Sequence, residues 1–267
     1  MNVLIKRCLS LALALLLVFG TAPGGVSAEE ASDGEAPKTI EKVPYWKRPK
    51  TGRPVNDWTD TESTYYWYSI GKTFKHTGDW RRDLLCLAVS QVGYQESKSN
   101  YREDAAGVKH GYTRYGAWYG NPYGEWCAMF VSFCLNYAGI PKEVVPHHAN
   151  CAGWVTQLWL KGLFVYAANA DPKPGDLVFL GRDTVATHIA IVCDVNAAKN
   201  ELTLIQGNTD HVVSKAVFPL NSLGIIGYCV LPQNPARSPD TPPERLVRAL
   251  AAALARPEDS IVEAPRL

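Results

Sequence analysis

The sequence predicts an α+β fold in which N-terminal helices pack on an antiparallel β-sheet. Two observations predict it. Between residues 80 and 162, apolar residues recur at helical spacing in three segments. After residue 173 they gather instead in short, β-branched runs separated by turn residues. Helices first and strands after belong to an α+β domain, here spanning 80–232.

Taken in chain order, the first segment reads as an export signal, 1–28. Lys6 and Arg7 form a charged start, Leu9 to Phe19 an apolar run, and Val26-Ser27-Ala28 a small-residue cleavage pattern. The run falls short of the roughly 20 apolar residues of a membrane span. Residues 29–44 hold few large apolar side chains and are expected to form a disordered linker. Residues 45–79 carry Tyr45, Trp46, Trp58, Tyr65, Tyr66, Trp67, Tyr68 and Phe74 among polar groups. They read as an irregular, aromatic-rich arm that packs on the domain, too short to fold alone.

Arg81 to Val92 places Leu84, Leu85, Ala88, Val89 and Val92 at helical spacing before Gly93. Residues 95–125 are polar and rich in glycine and tyrosine, and read as a long surface loop, the kind that usually serves function. A second helix opens near Glu125, with Cys127, Phe130, Val131, Cys134, Leu135 and Ala138 on one stripe, and ends at Gly139 and Pro141. A third covers Cys151 to Lys161. Leu177–Leu180, His188–Cys193, Glu201–Gln206 and Ile225–Leu231 then read as strands of a sheet of four or five. Residues 233–267 begin with a proline-rich linker, continue as an amphipathic helix over 244–256 and finish in a short disordered end.

Composition excludes some functions. Lys plus Arg number 27 against 26 Asp plus Glu, a formal charge of +1, which gives no electrostatic case for a nucleic-acid partner. Eight tryptophans and thirteen tyrosines suit core packing first and a carbohydrate-facing surface second. Seven cysteines show no Cys-x-x-Cys pair and no histidine spacing suggestive of zinc, so no metal and no cofactor is expected. Cys134, Cys193 and Cys229 lie in apolar runs and read as buried hydrophobes. His147-His148, after Pro146, reads as part of a solvated loop.

The chemistry centres on Cys127. A thiol nucleophile must be partly thiolate near neutral pH, and a helix N-terminus lowers a thiol pKa through its free N–H groups and dipole. Cys127 stands at such a start, after the glycine-rich loop Gly120 to Gly124. The base must then be a histidine held by a third group. His188 opens a strand. If 188–194 and 201–206 form a hairpin, Gln206 or Asn208 returns beside it, completing a cysteine, histidine and side-chain amide arrangement.

Four motifs occur in order: Trp126-Cys127-Ala128-Met129-Phe130-Val131, Pro174-Gly175-Asp176-Leu177-Val178-Phe179, Thr187-His188-Ile189-Ala190-Ile191-Val192 and Ile205-Gln206-Gly207-Asn208-Thr209. In them the chain resembles CHAP domains, the cysteine, histidine-dependent amidohydrolases/peptidases related to NlpC-type and papain-like hydrolases. The resemblance covers 80–232 and implies a papain-like fold. It also implies cleavage of a peptidoglycan peptide at the N-acetylmuramoyl-L-alanine amide or within the stem or cross-bridge. Cys127 would attack, His188 would move the proton, and helix-start N–H groups would hold the oxyanion.

The chain departs from the family twice. The family often has a glutamate where Gln206 stands, and some members carry an aspartate-rich calcium loop, whereas residues 111–126 contain no aspartate. Two alternatives accompany the wall-hydrolase expectation: a papain-like hydrolase acting on a non-wall amide, and a catalytically inactive wall- or protein-binding domain. Export with this chemistry implies a bacterial extracellular or wall-associated monomer whose thiol benefits from reducing conditions.

Overall fold

The computed structural model describes residues 53–235 and 261–263. The expected export signal, the 29–44 linker, the beginning of the aromatic arm and the helix over 244–256 lie outside the described residues.

The arm is not irregular: Asp60–Thr73 forms helix α1. Its start is a capping box. The Thr59 side chain accepts from the Glu62 N–H, and the Glu62 carboxylate accepts from the Thr59 N–H at 2.6 Å. Ser63 and Trp67, four residues apart, bury one face. Helix α2, Trp80–Gln91, is capped by Asp79 and buries Leu84, Leu85, Leu87 and Ala88.

Residues 95–125 are not a surface loop either. They contain a small hairpin, β1 (Tyr101–Glu103) with β2 (Lys109–Gly111), and a short helix α3 (Arg114–Tyr119). Tyr112, Tyr115 and Trp118 are buried. Tyrosine makes a sequence look polar, yet its ring belongs in a core once its hydroxyl is bonded. The Tyr115 hydroxyl donates to Gln91 Oε1 at 3.1 Å, and that of Tyr112 pairs with the Ser63 hydroxyl at 2.5 Å.

Helix α4, Cys127–Tyr137, is buried on every side except at Asn136, not along one stripe. It packs against α2, α3 and the centre of the sheet. Helix α5, Cys151–Leu160, starts at Asn150, whose side chain accepts from the Gly153 N–H at 2.9 Å. His147 and His148, expected in a solvated loop, are half-buried between these helices. The His147 ring lies 5.9 Å from that of Trp118, and burial pushes its pKa down to about 4.

The main sheet comprises β3 (Phe164–Tyr166), β4 (Leu177–Arg182), β5 (Val185–Asn196), β6 (Glu201–Thr209), β7 (Val212–Pro219), β8 (Ile225–Cys229) and β9 (Ile261–Glu263). Their order is β3-β8-β4-β5-β6-β7-β9, antiparallel except where β9 pairs parallel with β7. β9 falls in the end expected to be disordered. Strand β7 has no counterpart in the sequence reading, because Ser214 and Lys215 interrupt its apolar run; Ser214 is nevertheless buried.

Alternation along the strands divides the core. Leu177, Phe179, Ile189, Ile191 and Ile205 join the cluster under the helices. Val178, Leu180, Ala190, Val192, Leu202 and Leu204 form a second cluster with Ala216, Phe218 and Tyr228. The Pro174-Gly175-Asp176 turn ties the layers together. Buried Asp176 accepts from the Leu231 N–H at 2.8 Å and pairs with Arg81 of α2 at 2.7 Å. Gly175 has φ +90°, and a Cβ there would meet Arg81 Cβ at 2.7 Å.

Candidate active site

Cys127 is the first residue of α4, and among the described residues no side chain caps that helix. Its first-turn N–H groups are therefore left for a thiolate or an oxyanion. The approach to the helix is pinned by Trp126, whose indole Nε1 donates to Glu96 Oε2 at 2.9 Å. Glu96 also accepts from the Gly111 N–H at 2.7 Å and faces His211 Nδ1 at 3.2 Å. One half-buried carboxylate thus joins the β2 end, the β6–β7 turn and the helix start.

Two sheet irregularities frame the site. Leu180 pairs with His188 and Gly181 with Ala186, which leaves Thr187 as an extra residue on β5. On β6, Gln206 pairs with Ser214 and Thr209 with Val212, so Gly207 and Asn208 oppose Val213 alone. Bulges of this kind re-aim neighbouring side chains and recur beside active sites.

His188 Nε2 donates to Gln206 Oε1 at 3.0 Å and lies 3.5 Å from the Thr209 hydroxyl. That engagement leaves Nδ1 as the nitrogen available to Cys127, whose thiolate the ring supports electrostatically. Gln206 is 1% exposed. Its carbonyl oxygen, an acceptor, orients the ring and keeps a proton on Nε2.

Of the two amides, only Gln206 reaches the histidine. Asn208 has φ +61°, and its Nδ2 donates to Glu125 Oε2 at 2.5 Å. The bulge turns it away from His188 and towards the segment that precedes Cys127. Gly207 lies between them. A Cβ there would stand 2.7 Å from Trp126 Cζ3 and 2.9 Å from Phe130 Cβ, so β6 closes on the start of α4 only because that residue is glycine.

The electrostatics favour a thiolate–imidazolium pair. A hydrogen bond from Cys151 holds the Cys127 thiol well below its ordinary range; burial opposes this, and His188 and the Ala128 N–H reinforce it. For His188, burial works against the charge, but bonding to Cys127 and its negative charge, with the Gln206 carbonyl, raise the pKa above its usual value. Cys134 differs: complete burial pushes its thiol far up, leaving it inert.

The sequence reading gave no role to Cys151. It is the first residue of α5, and its Sγ lies 3.7 Å from Cys127 Sγ. Only the packing of two helix starts brings these cysteines together. Glu96 and Glu125 were also unassigned. Beside the site, a groove of about 450 Å³ is lined by Glu96, Lys98, Tyr101, Lys109, Asp210 and His211 among others.

Residues 118–208 match the family model of the CHAP domain, a family that is generally hydrolytic and cysteine- and histidine-dependent. Cys127, His188, Gln206 and Asn208 all fall within the matched span. No curated protein and no solved structure matches the chain.

Proposed function

We propose that the CHAP domain matched over 118–208 makes this protein a secreted, monomeric peptidoglycan hydrolase. In this reading it cleaves an N-acetylmuramoyl-L-alanine amide or a stem or cross-bridge peptide bond by acyl transfer to Cys127. The observation that carries the reading is the line Cys127–His188–Gln206, a thiol on a helix start whose charge is favoured by an imidazole that a buried amide holds.

The Cys127 thiolate attacks the substrate carbonyl carbon, and the tetrahedral oxyanion is met by N–H groups of the uncapped helix start. Collapse breaks the C–N bond as His188 gives its proton to the departing amine. Water, losing a proton to His188, then attacks the thioester and releases the acid. Gln206 keeps the ring oriented throughout. The adjoining groove presents lysines 98 and 109 beside Glu96 and Asp210. That mixture suits a stem peptide bearing both carboxylates and amines.

Secretion is supported by the charged start, apolar run and Val26-Ser27-Ala28 site. The function is tested by mass spectrometry of fragments released from purified peptidoglycan by the protein, beside Cys127→Ala. Free stem peptides released only by the intact protein identify an amidase; shortened stems or cut cross-bridges identify an endopeptidase. No release from several wall types under reducing conditions would overturn the wall-hydrolase reading.

A further inference from the structure

Six cysteines are described, and all are free thiols. Cys127 and Cys151 open two different helices, and their sulfurs lie 3.7 Å apart. Cys134, Cys193 and Cys229 are buried within the core. Cys86 is half-buried on α2.

We propose that Cys151 is a resolving thiol, so that peroxide converts the site reversibly into a Cys127–Cys151 disulfide. The inference rests on Cys127 being the reactive thiolate of the proposed hydrolase. A sulfur pair this close needs only to contract to about 2.05 Å for bonding. Both sulfurs stand at the ends of helices, where a side chain can turn without breaking the ladder behind it. Cys151 is also nearly buried, at 7% exposed, so its nearest reaction partner is Cys127 and not a second molecule.

The chemistry balances with a peroxide as the oxidant. The Cys127 thiolate attacks one oxygen of hydrogen peroxide, the O–O bond breaks, and Cys127 becomes a sulfenic acid as hydroxide departs. The Cys151 sulfur then attacks the sulfenyl sulfur. An S–S bond forms, the S–O bond breaks, and the oxygen leaves as water with the thiol proton. An external dithiol reverses the change by exchange, restoring both thiols while it becomes a disulfide itself.

The local charges order these steps. In the resting site, the bond to Cys127, burial and the charge of Cys127 keep Cys151 protonated. Cys127 is therefore oxidised first. Once it is a neutral sulfenic acid, two of those three influences are gone, and Cys151 is freed to act as the nucleophile. Resolution stops the oxidation ladder before the irreversible sulfinic step. The disulfide removes the thiolate from His188, so the oxidised protein is inactive but recoverable.

The test needs no wall substrate. The full-length protein is treated with hydrogen peroxide, its remaining thiols are blocked, and its peptides are mapped without reduction. A cross-linked peptide joining Cys127 to Cys151 is expected, with thiol-probe labelling of Cys127 lost and then restored by dithiothreitol. In Cys151→Ala, or Cys151→Ser if the alanine variant does not fold, peroxide should drive Cys127 to sulfinic acid and labelling should not return. Oxidised Cys127 with Cys151 still free in the unmodified protein would overturn the proposal while leaving the nucleophile reading intact. A Cys127 that neither labels nor oxidises would overturn both.

Discussion

His188 Nε2 donates to Gln206 Oε1 across 3.0 Å, from one strand of a hairpin to the next. An amide carbonyl orients the imidazole but carries no charge to hold the imidazolium. Gln206→Ala should therefore lower kcat by roughly 10- to 100-fold, less than the loss of His188, where general acid–base catalysis is worth about 10²–10⁴. Gln206→Glu should keep activity and extend it to higher pH. A carboxylate beside the ring favours its charged form, so His188 loses its proton later as pH rises. Identical alkaline limbs in the two pH–rate profiles would show that Gln206 does not act on the histidine.

The depressed Cys127 thiol and the raised His188 imidazole define a working window. Below the Cys127 pKa the thiolate is protonated and the nucleophile is lost. Above the His188 pKa the imidazolium is lost, and with it the proton for the leaving amine. Activity should therefore be bell-shaped in pH. Alkylation of Cys127 by iodoacetamide should remain fast well below pH 9 and decline only on the acid side. His188→Ala removes the cation, so the alkylation profile should move towards higher pH. An unmoved profile would mean that the helix start and Cys151 alone set the thiol.

The parts of this site that could be read from sequence are those fixed by local pattern. The apolar period that follows Gly124 marks α4, and with it the exposed N–H groups around Cys127. The β-branched run after His188 marks its strand. The choice between Gln206 and Asn208 was not legible, because simple alternation puts both on one face. The bulge at Gly207-Asn208 breaks that alternation and sends Asn208 to Glu125. The buried tyrosines of 112 and 115 were hidden by their hydroxyls, whose partners Ser63 and Gln91 lie far away in sequence. The Thr59-x-x-Glu62 capping box, in contrast, was present to be read and marks α1. Cys151 meets Cys127 only through the path of the connection between two helices, which no period encodes.

Gly207 should be intolerant of any side chain. Its missing Cβ lets β6 lie against Trp126 and Phe130, both fully enclosed. Gly207→Ala forces the strand or the helix start to shift, at a cost of about 1–3 kcal/mol. Because Gln206 precedes it and Trp126 precedes Cys127, the shift also misaligns His188 with the thiol. Thermal unfolding and kcat should therefore fall together, with KM changed less. A variant that loses stability but keeps kcat at permissive temperature would separate the packing from the catalytic alignment.

Arg114 holds the N-terminal arm to the domain by its charge. Its guanidinium is buried, and it lies 4.1 Å from the Tyr94 ring centroid and 4.5 Å from that of Tyr66, with Trp58 and Tyr115 at 5.8 Å. Among the described residues its Nε has no hydrogen-bond partner, and Nη1 reaches Gln91 Oε1 only at 3.5 Å. The aromatic faces therefore do most of the work of stabilising the cation. Desolvated cation–π contacts are worth about 2 kcal/mol or more. Arg114→Met keeps the length and apolar contact but removes the charge, and should destabilise the protein by about that amount in chemical denaturation. Arg114→Lys should fall between the two, since an ammonium cannot lie flat against several rings. Trp58 and Tyr66 belong to the arm and Tyr94 and Tyr115 to the domain, so the loss should also loosen α1. Faster amide exchange in residues 60–73 than in α4 of the Arg114→Met variant would be the signature. Equal exchange in both helices would mean that Arg114 supports the whole core and not the arm's attachment.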